Sequence, residues 1–317
     1  MTPRGGEFMY KTDKIAILLA TYNGEEYISE QIESILNQTY EDWVIYIHDD
    51  GSKDETKAII KEYEEKHPEK IVVLDGPATG GAKTNFLYLF REVEAPFYMC
   101  CDQDDVWLSD KIEITKKEMD NLVRGDEDKP CLVFTELCVV DRKLNILAEK
   151  MSVYQGLDCK KVTFNRALIQ NVVTGCTMMV NRALRDELGK IEDFNSVLMH
   201  DWWAILVATR FGKAAYVDRA TILYRQHGDN GVGATNATSF VYKLKRMLQG
   251  EDIKKSLENT RKQAGAFALV YDEPADSLVS QYARLAEKCK IKRLAFYDKH
   301  DVKKSTRAKN MGLMVWG

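Results

Sequence analysis

Short apolar runs alternate with amphipathic segments in the first part of the chain. The segments 25–38 and Thr56–Lys66 each carry apolar residues at helical spacing, with polar residues opposite them, which predicts two helices. Short apolar runs separated by such helices are typical of parallel βαβ units. We therefore expect an α/β fold, whose first strands lie at 15–20, 43–48, 71–74 and 97–101.

The second part of the chain mixes both patterns. Cys131–Val140 and 177–180 have the apolar character of strands, and 202–211 has that of a buried helix. The glycine-rich segment 228–233 then marks a break. The pattern that follows it is helical and rich in lysine and arginine.

These shifts divide the chain into regions. We expect one folded unit at 9–235, with its two halves meeting near residue 125, and a basic helical region at 236–317. Residues 1–8 have no periodicity, and we interpret them as a cloning remnant before a native start at Met9.

The composition is that of a globular protein, with 317 residues, 45% hydrophobic content and a net charge of -4. Because nucleic-acid-binding proteins usually carry a basic field, we expect no nucleic acid partner. Seven cysteines occur without a CxxC pair, which predicts a protein of the reducing cytoplasm. No apolar stretch approaches the roughly 20 residues of a membrane span, so we expect none.

Three carboxylates follow the fourth apolar run, in Asp102-Gln103-Asp104-Asp105. Their mutual repulsion is costly unless a cation compensates it. Two carboxylates separated by one residue can hold Mg²⁺ or Mn²⁺ and leave positions open for diphosphate oxygens. A solvated acidic turn or a helix N-cap is the alternative interpretation.

Polar turns also follow the first two runs, as Thr21-Tyr22-Asn23-Gly24 and Asp49-Asp50-Gly51-Ser52. In an open α/β sheet, ligands bind beyond the carboxyl ends of the strands, where these turns lie. One aspartate of the second turn can cap the helix that follows. The other can accept a hydrogen bond from the N3–H of a uracil or thymine ring.

The order and spacing of these motifs resemble those of family 2 glycosyltransferases over about residues 14–230. The matching segments are 17–24, 31–39, 48–52 and 102–105. Within that family, the chain is especially similar to bacterial rhamnosyltransferases that build surface polysaccharides, through 102–107, Thr174-Gly175-Cys176, 200–203 and 224–227.

The resemblance implies a GT-A fold, which is a Rossmann-like mixed sheet flanked by helices, here with a C-terminal helical appendage. It also implies that 9–235 is the catalytic domain. The nucleotide-sugar half would be at about 14–125 and the acceptor half at about 126–235.

The resemblance further implies a donor site and a metal site at the strand ends. Thr21 and Tyr22 would border the base, and Asp50 would read the pyrimidine. Asp104 would be the principal ligand of Mn²⁺ or Mg²⁺, with Asp102 shared between metal and ribose. The expected donor-binding residues are Ala20, Thr21, Tyr22, Asp50, Lys83, Asp102 and Gln103.

Asp201 matches the catalytic aspartate of the family and would accept the proton of the attacking acceptor hydroxyl. Attack opposite the leaving nucleoside diphosphate would invert the configuration. The alternative is an acidic residue that stabilises a helix N-terminus. Gly175, His200 and Trp202 are expected at the acceptor or sugar pocket, although a tryptophan on a buried helix commonly belongs to the core.

Two further residues come from less specific patterns. The segment 76–84 comes close to a phosphate-binding Walker loop, but Ala82 separates its glycine from Lys83. We expect this loop to line the donor site, with Lys83 near the diphosphate. His227 follows a strand-like run next to Arg225, which favours a phosphate or metal contact, with a structural histidine as the alternative.

Lysines and arginines in 236–317 are interspersed with apolar residues. A polybasic amphipathic helix gains stability at an anionic lipid surface, so we expect peripheral attachment to the inner face of the cell membrane. Solvated helices and contacts within a homo-oligomer are the alternatives.

Together these features predict a metal-dependent, inverting hexosyltransferase of surface polysaccharide synthesis. It would move L-rhamnose from dTDP-L-rhamnose to a glycan hydroxyl, with the glycan carried on a polyprenyl lipid. One alternative is a sugar nucleotidyltransferase, which normally has a glycine- and arginine-rich loop where this chain has 21–24. Another is a non-catalytic glycan- or lipid-binding partner in a synthase complex.

Overall fold

The structure is a computed structural model that describes residues 10–226 and 250–317. Its strands are β1 (Tyr10–Lys11), β2 (Ile15–Thr21), β3 (Trp43–Asp49), β4 (Ile71–Val73), β5 (Val93–Glu94), β6 (Phe97–Asp102), β7 (Val106–Trp107), β8 (Cys131–Val140), β9 (Ile146–Ala148), β10 (Met178–Asn181) and β11 (Lys213–Arg225). A nine-stranded sheet has the order β4-β3-β2-β6-β10-β8-β11-β7, with β9 paired to β8. Strands β1 and β5 form a separate pair.

Some helices lie between the strands in the chain and cover the sheet, and others follow its last strand. They are α1 (Ile28–Leu36), α2 (Thr56–Lys66), α3 (Ala82–Glu92), α4 (Lys111–Val123), α5 (Met151–Gln155), α6 (Phe164–Ala167), α7 (Arg182–Leu188), α8 (His200–Phe211), α9 (Gly250–Val270), α10 (Leu278–Ala283), α11 (Lys290–Lys299) and α12 (Arg307–Trp316). The predicted mixed α/β fold with helices at its C-terminal end is confirmed.

Strand β2 lies inside the sheet and is buried on both faces. Ile17 and Leu19 belong to one apolar cluster, whereas Ala16 and Leu18 belong to the other, on the opposite face. This alternation follows from the period of two along a strand, and burial of both faces is typical of parallel strands covered by helices. Strands β4, β3, β2 and β6 are indeed parallel, as the four apolar runs predict.

The first helix begins later than the pattern 25–38 predicts. The amide groups of Tyr27 and Ile28 both donate to the carbonyl of Gly24, each at 3.0 Å, and Asn23 has a φ of 46°. A turn therefore occupies the first positions of the pattern, and α1 starts at Ile28. This turn lets the chain leave β2 at the edge of the sheet where its motif residues lie.

The sheet becomes mixed in its second half. Strand β10 pairs antiparallel with both β6 and β8, and β11 runs parallel to β8. The end of β11 pairs with β7, with Ile222 opposite Trp107 and Leu223 opposite Val106. Because β7 follows the acidic turn directly, this pairing brings Arg225, the last residue of β11, into contact with that turn.

The C-terminal helices pack against α8 and the segments around it. The ring of Phe267 lies 5.4 Å from that of Trp203 and 5.9 Å from that of Phe211, centroid to centroid. Gln263 accepts a hydrogen bond from Leu198 N at 2.8 Å. The C-terminal helices are therefore joined to the second half of the sheet by a shared apolar core.

All seven cysteines are free thiols, and six of them are buried. Within 10–226 and 250–317, every helix is too short or too polar to cross a membrane.

Candidate active site

The carboxyl ends of β2, β3 and β6 meet at one edge of the sheet. Thr21 of β2 pairs with Asp49 of β3, and Ala20 pairs with Asp102 of β6. Parallel neighbours end together, which is why motif residues far apart in the chain meet here. The structure therefore brings together the strand-end residues that were expected to bind the donor.

Gln103 holds the turn that follows β2. Its Oε1 accepts a hydrogen bond from Tyr22 N at 2.8 Å, and its Nε2 donates to Tyr22 O at 2.9 Å. A Cβ on Gly24 would lie 2.3 Å from Gln103 Oε1, so a larger residue at this position would displace the Gln103 amide group from its hydrogen bonds to Tyr22. The side chain of Tyr22 is 52% exposed. Gln103 thus joins the acidic turn to the backbone beneath an exposed aromatic ring at the cleft edge.

Asp49 shapes the turn after β3. Its Oδ1 accepts hydrogen bonds from the amides of Gly51 at 3.1 Å and Ser52 at 2.8 Å. Its Oδ2 accepts from Thr21 Oγ1 at 3.1 Å. Of the two adjacent aspartates, Asp49 is the one with the structural hydrogen bonds of the turn.

Asp50 points to the loop before α3. Its Oδ1 accepts from Thr79 Oγ1 at 2.9 Å and Gly80 N at 3.1 Å, and its Oδ2 accepts from Gly81 N at 2.6 Å. Burial favours the neutral form, but these hydrogen bonds outweigh burial and lower the pKa of Asp50. The amide of Thr79 also donates to Oδ1. Each carboxylate oxygen has two lone pairs, and Oδ2 accepts only the bond from Gly81 among the described residues, so Oδ2 retains capacity for one more N–H donor.

The acidic turn concentrates negative charge at the end of β6. Burial raises the pKa of Asp102 to about 7, and the charges of Asp104 and Asp201 are further causes. Such repulsion between buried carboxylates is relieved by a divalent cation with oxygen ligands. The residues of this turn therefore fit a Mn²⁺ or Mg²⁺ ion.

Arg225 holds this turn through hydrogen bonds to Asp104 and Asp105. Its backbone amide donates to Asp105 Oδ1 at 3.1 Å, and its Nε donates to Asp104 O at 2.9 Å. Its other guanidinium nitrogens donate to Arg142 O and to the carboxylate of Glu30. A planar guanidinium can make such divergent contacts at once, so Arg225 sets the path of the chain through the turn.

A second group lies on the inner side of the turn. Asp102, Asp105 and Cys176 each offer one ligand atom within 4.8 Å of the others. Asp105 is fully buried, and its Oδ2 has no hydrogen-bond partner among the described residues. Lys111 is also fully buried, and burial lowers the pKa of its ammonium to about 8, against the charges of Cys176 and Asp105.

Asp201 lies in the first turn of α8, where its side chain is buried. Its Oδ1 accepts a hydrogen bond from Trp202 N at 2.6 Å. Burial raises the pKa of Asp201 to about 7, opposed by hydrogen bonds from the amides of Trp202 and Gly175 and from the side chain of Asn171. A pKa near neutrality suits a general base. Its charge also acts on Asp102, so the two carboxylates lie within electrostatic range of each other.

The other residues expected near the acceptor are His200, Gly175 and Trp202. His200 is buried against Phe86, with ring centroids 4.4 Å apart, and burial lowers its pKa to about 3. A Cβ on Gly175 would lie 2.6 Å from His200 Nε2, so the neutral ring packs directly against Gly175. Trp202 is half-buried, and its Nε1 donates to Ala167 O at 2.6 Å.

Lys83 is engaged with the chain segment before α8. Its ammonium donates to Phe194 O at 2.8 Å and to Val197 O at 2.7 Å. Burial lowers its pKa, and the charge of Asp193 opposes this effect. Lys83, in the first turn of α3, therefore links that helix to the segment that leads into Asp201. His227, the third expected metal ligand, lies outside the described residues.

Sequence reasoning missed the roles of three residues at this site. Arg225 was noted only as a neighbour of His227, although a charged residue that ends an apolar run is a signal of a buried guanidinium. Lys111 opens a lysine-rich amphipathic helix, so its pattern gave no sign of burial. Asn171 lies in an irregular segment, where neither helical nor strand periodicity applies.

Comparisons with known proteins indicate the family of this chain. The sequence profile "Glycosyl transferase family 2" matches residues 16–126. The dTDP-rhamnosyl transferase RfbG of Shigella flexneri is 34% identical over 241 residues, which are 72% of this chain and 78% of the relative.

Two solved structures show the same fold. One is S. aureus TarS 1-349 in complex with UDP, with a TM-score of 0.54 and 15% identity over 89% of this chain and 77% of that chain. The other is the mannosyltransferase PcManGT from Pyrobaculum calidifontis in complex with GDP-Man and Mn²⁺, with a TM-score of 0.50 and 13% identity over 94% of this chain and 78% of that chain. Both are GT-A glycosyltransferases, and the expected GT-A fold is confirmed.

Proposed function

Because this chain belongs to glycosyl transferase family 2 and acts on nucleotide sugars, we propose that it is an inverting, metal-dependent enzyme with Asp201 as its general base. The observation that carries this proposal is the proximity of Asp201 to the acidic turn. The charge of Asp201 contributes to the raised pKa of Asp102, so the base lies within electrostatic range of the donor-side carboxylates.

The proposed donor is dTDP-L-rhamnose. The support is the 34% identity to a relative named as a dTDP-rhamnosyl transferase, together with the strand-end residues. Asp50 is ionised and keeps an acceptor position that suits the N3–H of thymine. Ala20 and Thr21 lie beside it at the end of β2, with the exposed ring of Tyr22 at the rim.

The proposed metal is Mn²⁺ or Mg²⁺, with Asp104 as its principal ligand and Asp102 shared between the metal and the ribose. His227 stays a further candidate ligand. When bound, such an ion would neutralise negative charge on the diphosphate of the donor. Arg225 holds Asp104 by its backbone, and Gln103 holds the turn to Tyr22, so the ligand side chains start from a fixed main chain.

In the proposed reaction, Asp201 accepts the proton of an acceptor hydroxyl while that oxygen attacks the anomeric carbon. The bond from the anomeric carbon to the diphosphate oxygen breaks, and the nucleoside diphosphate leaves with the bonding electrons. Attack from the side opposite the leaving group inverts the configuration. The amides of Trp202 and Gly175 orient the carboxylate, which leaves a defined direction for the incoming hydroxyl.

The proposed acceptor is a glycan hydroxyl, carried on a polyprenyl lipid. It would enter beside Gly175 and Trp202, and the His200 ring packed against Gly175 would keep this part of the pocket in place. We also propose a cytoplasmic location, with the basic C-terminal helices at the inner face of the cell membrane. Apolar side chains exposed on α12, such as Met311 and Met314, support that orientation, and a homo-oligomer through the same helices is the competing assembly.

Two isosteric variants distinguish the role of the general base from that of the metal ligand. Asp201→Asn should lower turnover by about 10²- to 10⁴-fold, the usual contribution of a general base, while Mn²⁺-dependent binding of dTDP stays within about threefold. Asp104→Asn should weaken that binding instead. The assay is transfer from dTDP-L-rhamnose with detection of released dTDP, beside calorimetric titration of dTDP.

The surface variant Asp276→Asn controls for the loss of one carboxylate far from these motifs. Near-normal turnover of Asp201→Asn would rule out the proposed base. Thermal-shift measurements over a panel of nucleotide sugars, with and without Mn²⁺, test the donor, because a specific ligand stabilises the folded state by mass action. A larger shift with another nucleotide sugar would replace dTDP-L-rhamnose.

A further inference from the structure

The inner side of the acidic turn carries a set of metal-ligand atoms of which the proposed sugar transfer uses only Asp102. Asp102, Asp105 and Cys176 offer two carboxylate oxygens and one sulfur, all within 4.8 Å of one another. Cys176 lies in the short 3-10 turn Gly175–Thr177 that packs against the end of β6. A sulfur ligand distinguishes this group from the oxygen ligands that Mg²⁺ and Mn²⁺ prefer.

Asp105 gives the second, independent observation. Its side chain is fully buried, and while Oδ1 accepts from Arg225 N at 3.1 Å, Oδ2 has no hydrogen-bond partner in residues 10–226 or 250–317. A buried carboxylate oxygen without a partner is costly. A cation between Asp105 and its two neighbours would satisfy that oxygen.

We propose that Asp102, Asp105 and Cys176 form a binding site for a thiophilic divalent cation of the Zn²⁺ type, separate from the Mn²⁺ or Mg²⁺ position on the cleft side of Asp104. Zinc accepts both thiolate and carboxylate ligands, and three protein ligands with one open position are an established arrangement. The cation would enter from the cleft past Asp102, which is half-buried, because Asp105 and Cys176 are both closed to solvent.

The charges of the neighbouring groups balance such an ion. Two carboxylates and one thiolate carry three negative charges, and the ammonium of Lys111 together with a divalent cation carries three positive charges. Lys111 is fully buried, with its Nζ 4.7 Å from the centre of the Trp107 ring and without a hydrogen-bond partner among the described residues. Coordination requires loss of the thiol proton, which leaves to solvent or buffer.

The site has a consequence for the enzyme. Asp102 belongs both to this site and to the proposed donor position, so a thiophilic cation would hold Asp102 inward. We therefore expect Zn²⁺ to compete with Mn²⁺ and nucleotide. Cation binding itself needs neither donor nor acceptor, so it can be measured even if the proposed reaction is wrong.

The test uses Cd²⁺ as probe on the full chain carrying Cys289→Ser, which removes the exposed thiol. We expect one Cd²⁺ per chain with ultraviolet thiolate-to-cadmium charge-transfer absorption. Adding Cys176→Ser should abolish the absorption, and adding Asp105→Asn should weaken binding by about tenfold or more. The matched control is Cys159→Ser, another buried thiol, which should leave binding unchanged.

The proposal is overturned if the Cys289→Ser protein shows no charge-transfer absorption with Cd²⁺. It is also overturned if the absorption persists after Cys176→Ser is added. Circular dichroism checks that each variant is folded. Should Cys176→Ser not fold, the ¹¹³Cd chemical shift of the Cys289→Ser protein decides the matter. A shift for one sulfur among oxygen ligands supports the site, and a shift for oxygen ligands alone overturns it.

Discussion

The buried carboxyl group of Asp201 makes the stability of the fold depend on pH. Its pKa rises from 3.8 to about 7 because burial penalises the charged form. The folded state therefore holds a proton that the unfolded state has lost, over the range between these two values. It follows that Asp201 reduces the free energy of unfolding as pH rises from about 4 to about 7, and that the loss is complete above that range.

The size of this effect follows from the shift. Each pKa unit corresponds to about 1.4 kcal/mol, so the full shift corresponds to about 4 kcal/mol. Between pH 5 and pH 8 the contribution of Asp201 changes by about 3 kcal/mol. Asn is close in shape to the protonated acid and does not ionise, so Asp201→Asn should be more stable than the unsubstituted protein by about 1.5 kcal/mol at pH 5 and by about 4 kcal/mol at pH 8.

The assay is urea unfolding of both proteins at pH 5 and pH 8, in EDTA and without nucleotide. The difference in free energy of unfolding between variant and parent should grow with pH, by up to about 3 kcal/mol. Removal of the Asp201 charge also favours ionisation of Asp102, whose pKa it raises, so this coupling acts in the same direction. A difference that is equal at the two pH values, or larger at pH 5, would refute the reasoning.

Three other substitutions test the supports of the cleft. Gln103→Ala removes both hydrogen bonds to Tyr22 and should raise the dissociation constant of dTDP by about tenfold, or 1.4 kcal/mol, in calorimetric titration. Gly24→Ala forces a Cβ to within 2.3 Å of Gln103, so urea unfolding should show a loss of about 1–3 kcal/mol. Arg225→Lys cannot keep every contact of a buried guanidinium, and it should lower the free energy of unfolding by about 2–4 kcal/mol in the same experiment.

Exposed residues of the same type provide the controls for these variants. Gln281→Ala and Arg219→Lys alter exposed side chains and should change stability by less than about 0.5 kcal/mol. If Arg219→Lys cost as much as Arg225→Lys, the contacts of Arg225 with the acidic turn would not be the cause. Unchanged dTDP binding in Gln103→Ala would show that Tyr22 does not need this support.

The parallel part of the sheet was predictable because its signals are local. Apolar runs with a period of two, separated by helical patterns, define β2, β3, β4 and β6, and parallel strands necessarily end at one edge. The predicted proximity of Thr21, Asp50 and Asp102 followed from that rule. The two residues of β7 form a strand only because β11 returns beside them, and no local pattern encodes such a pairing.

Side-chain partners were harder to predict than positions. Lys83 is expected near a diphosphate because of its loop, but the loop pattern does not predict that its ammonium donates to two carbonyls of the segment before α8. The burial of His200 depends on Phe86 and Gly175, which are distant in the chain. These contacts are set by tertiary packing, on which sequence spacing carries no information.

The acidic turn also shows why a motif does not assign equal roles to its residues. Its three carboxylates lie within four positions, yet Asp102 is half-buried at the cleft and Asp105 is fully buried. Arg225 causes this division, because it binds Asp104 through a carbonyl and Asp105 through a side-chain oxygen. Asp104 is thus held through its backbone carbonyl, whereas the side chain of Asp105 is tied to the interior. The sequence pattern alone could not distinguish these two aspartates, since the residue that separates them is 120 positions away.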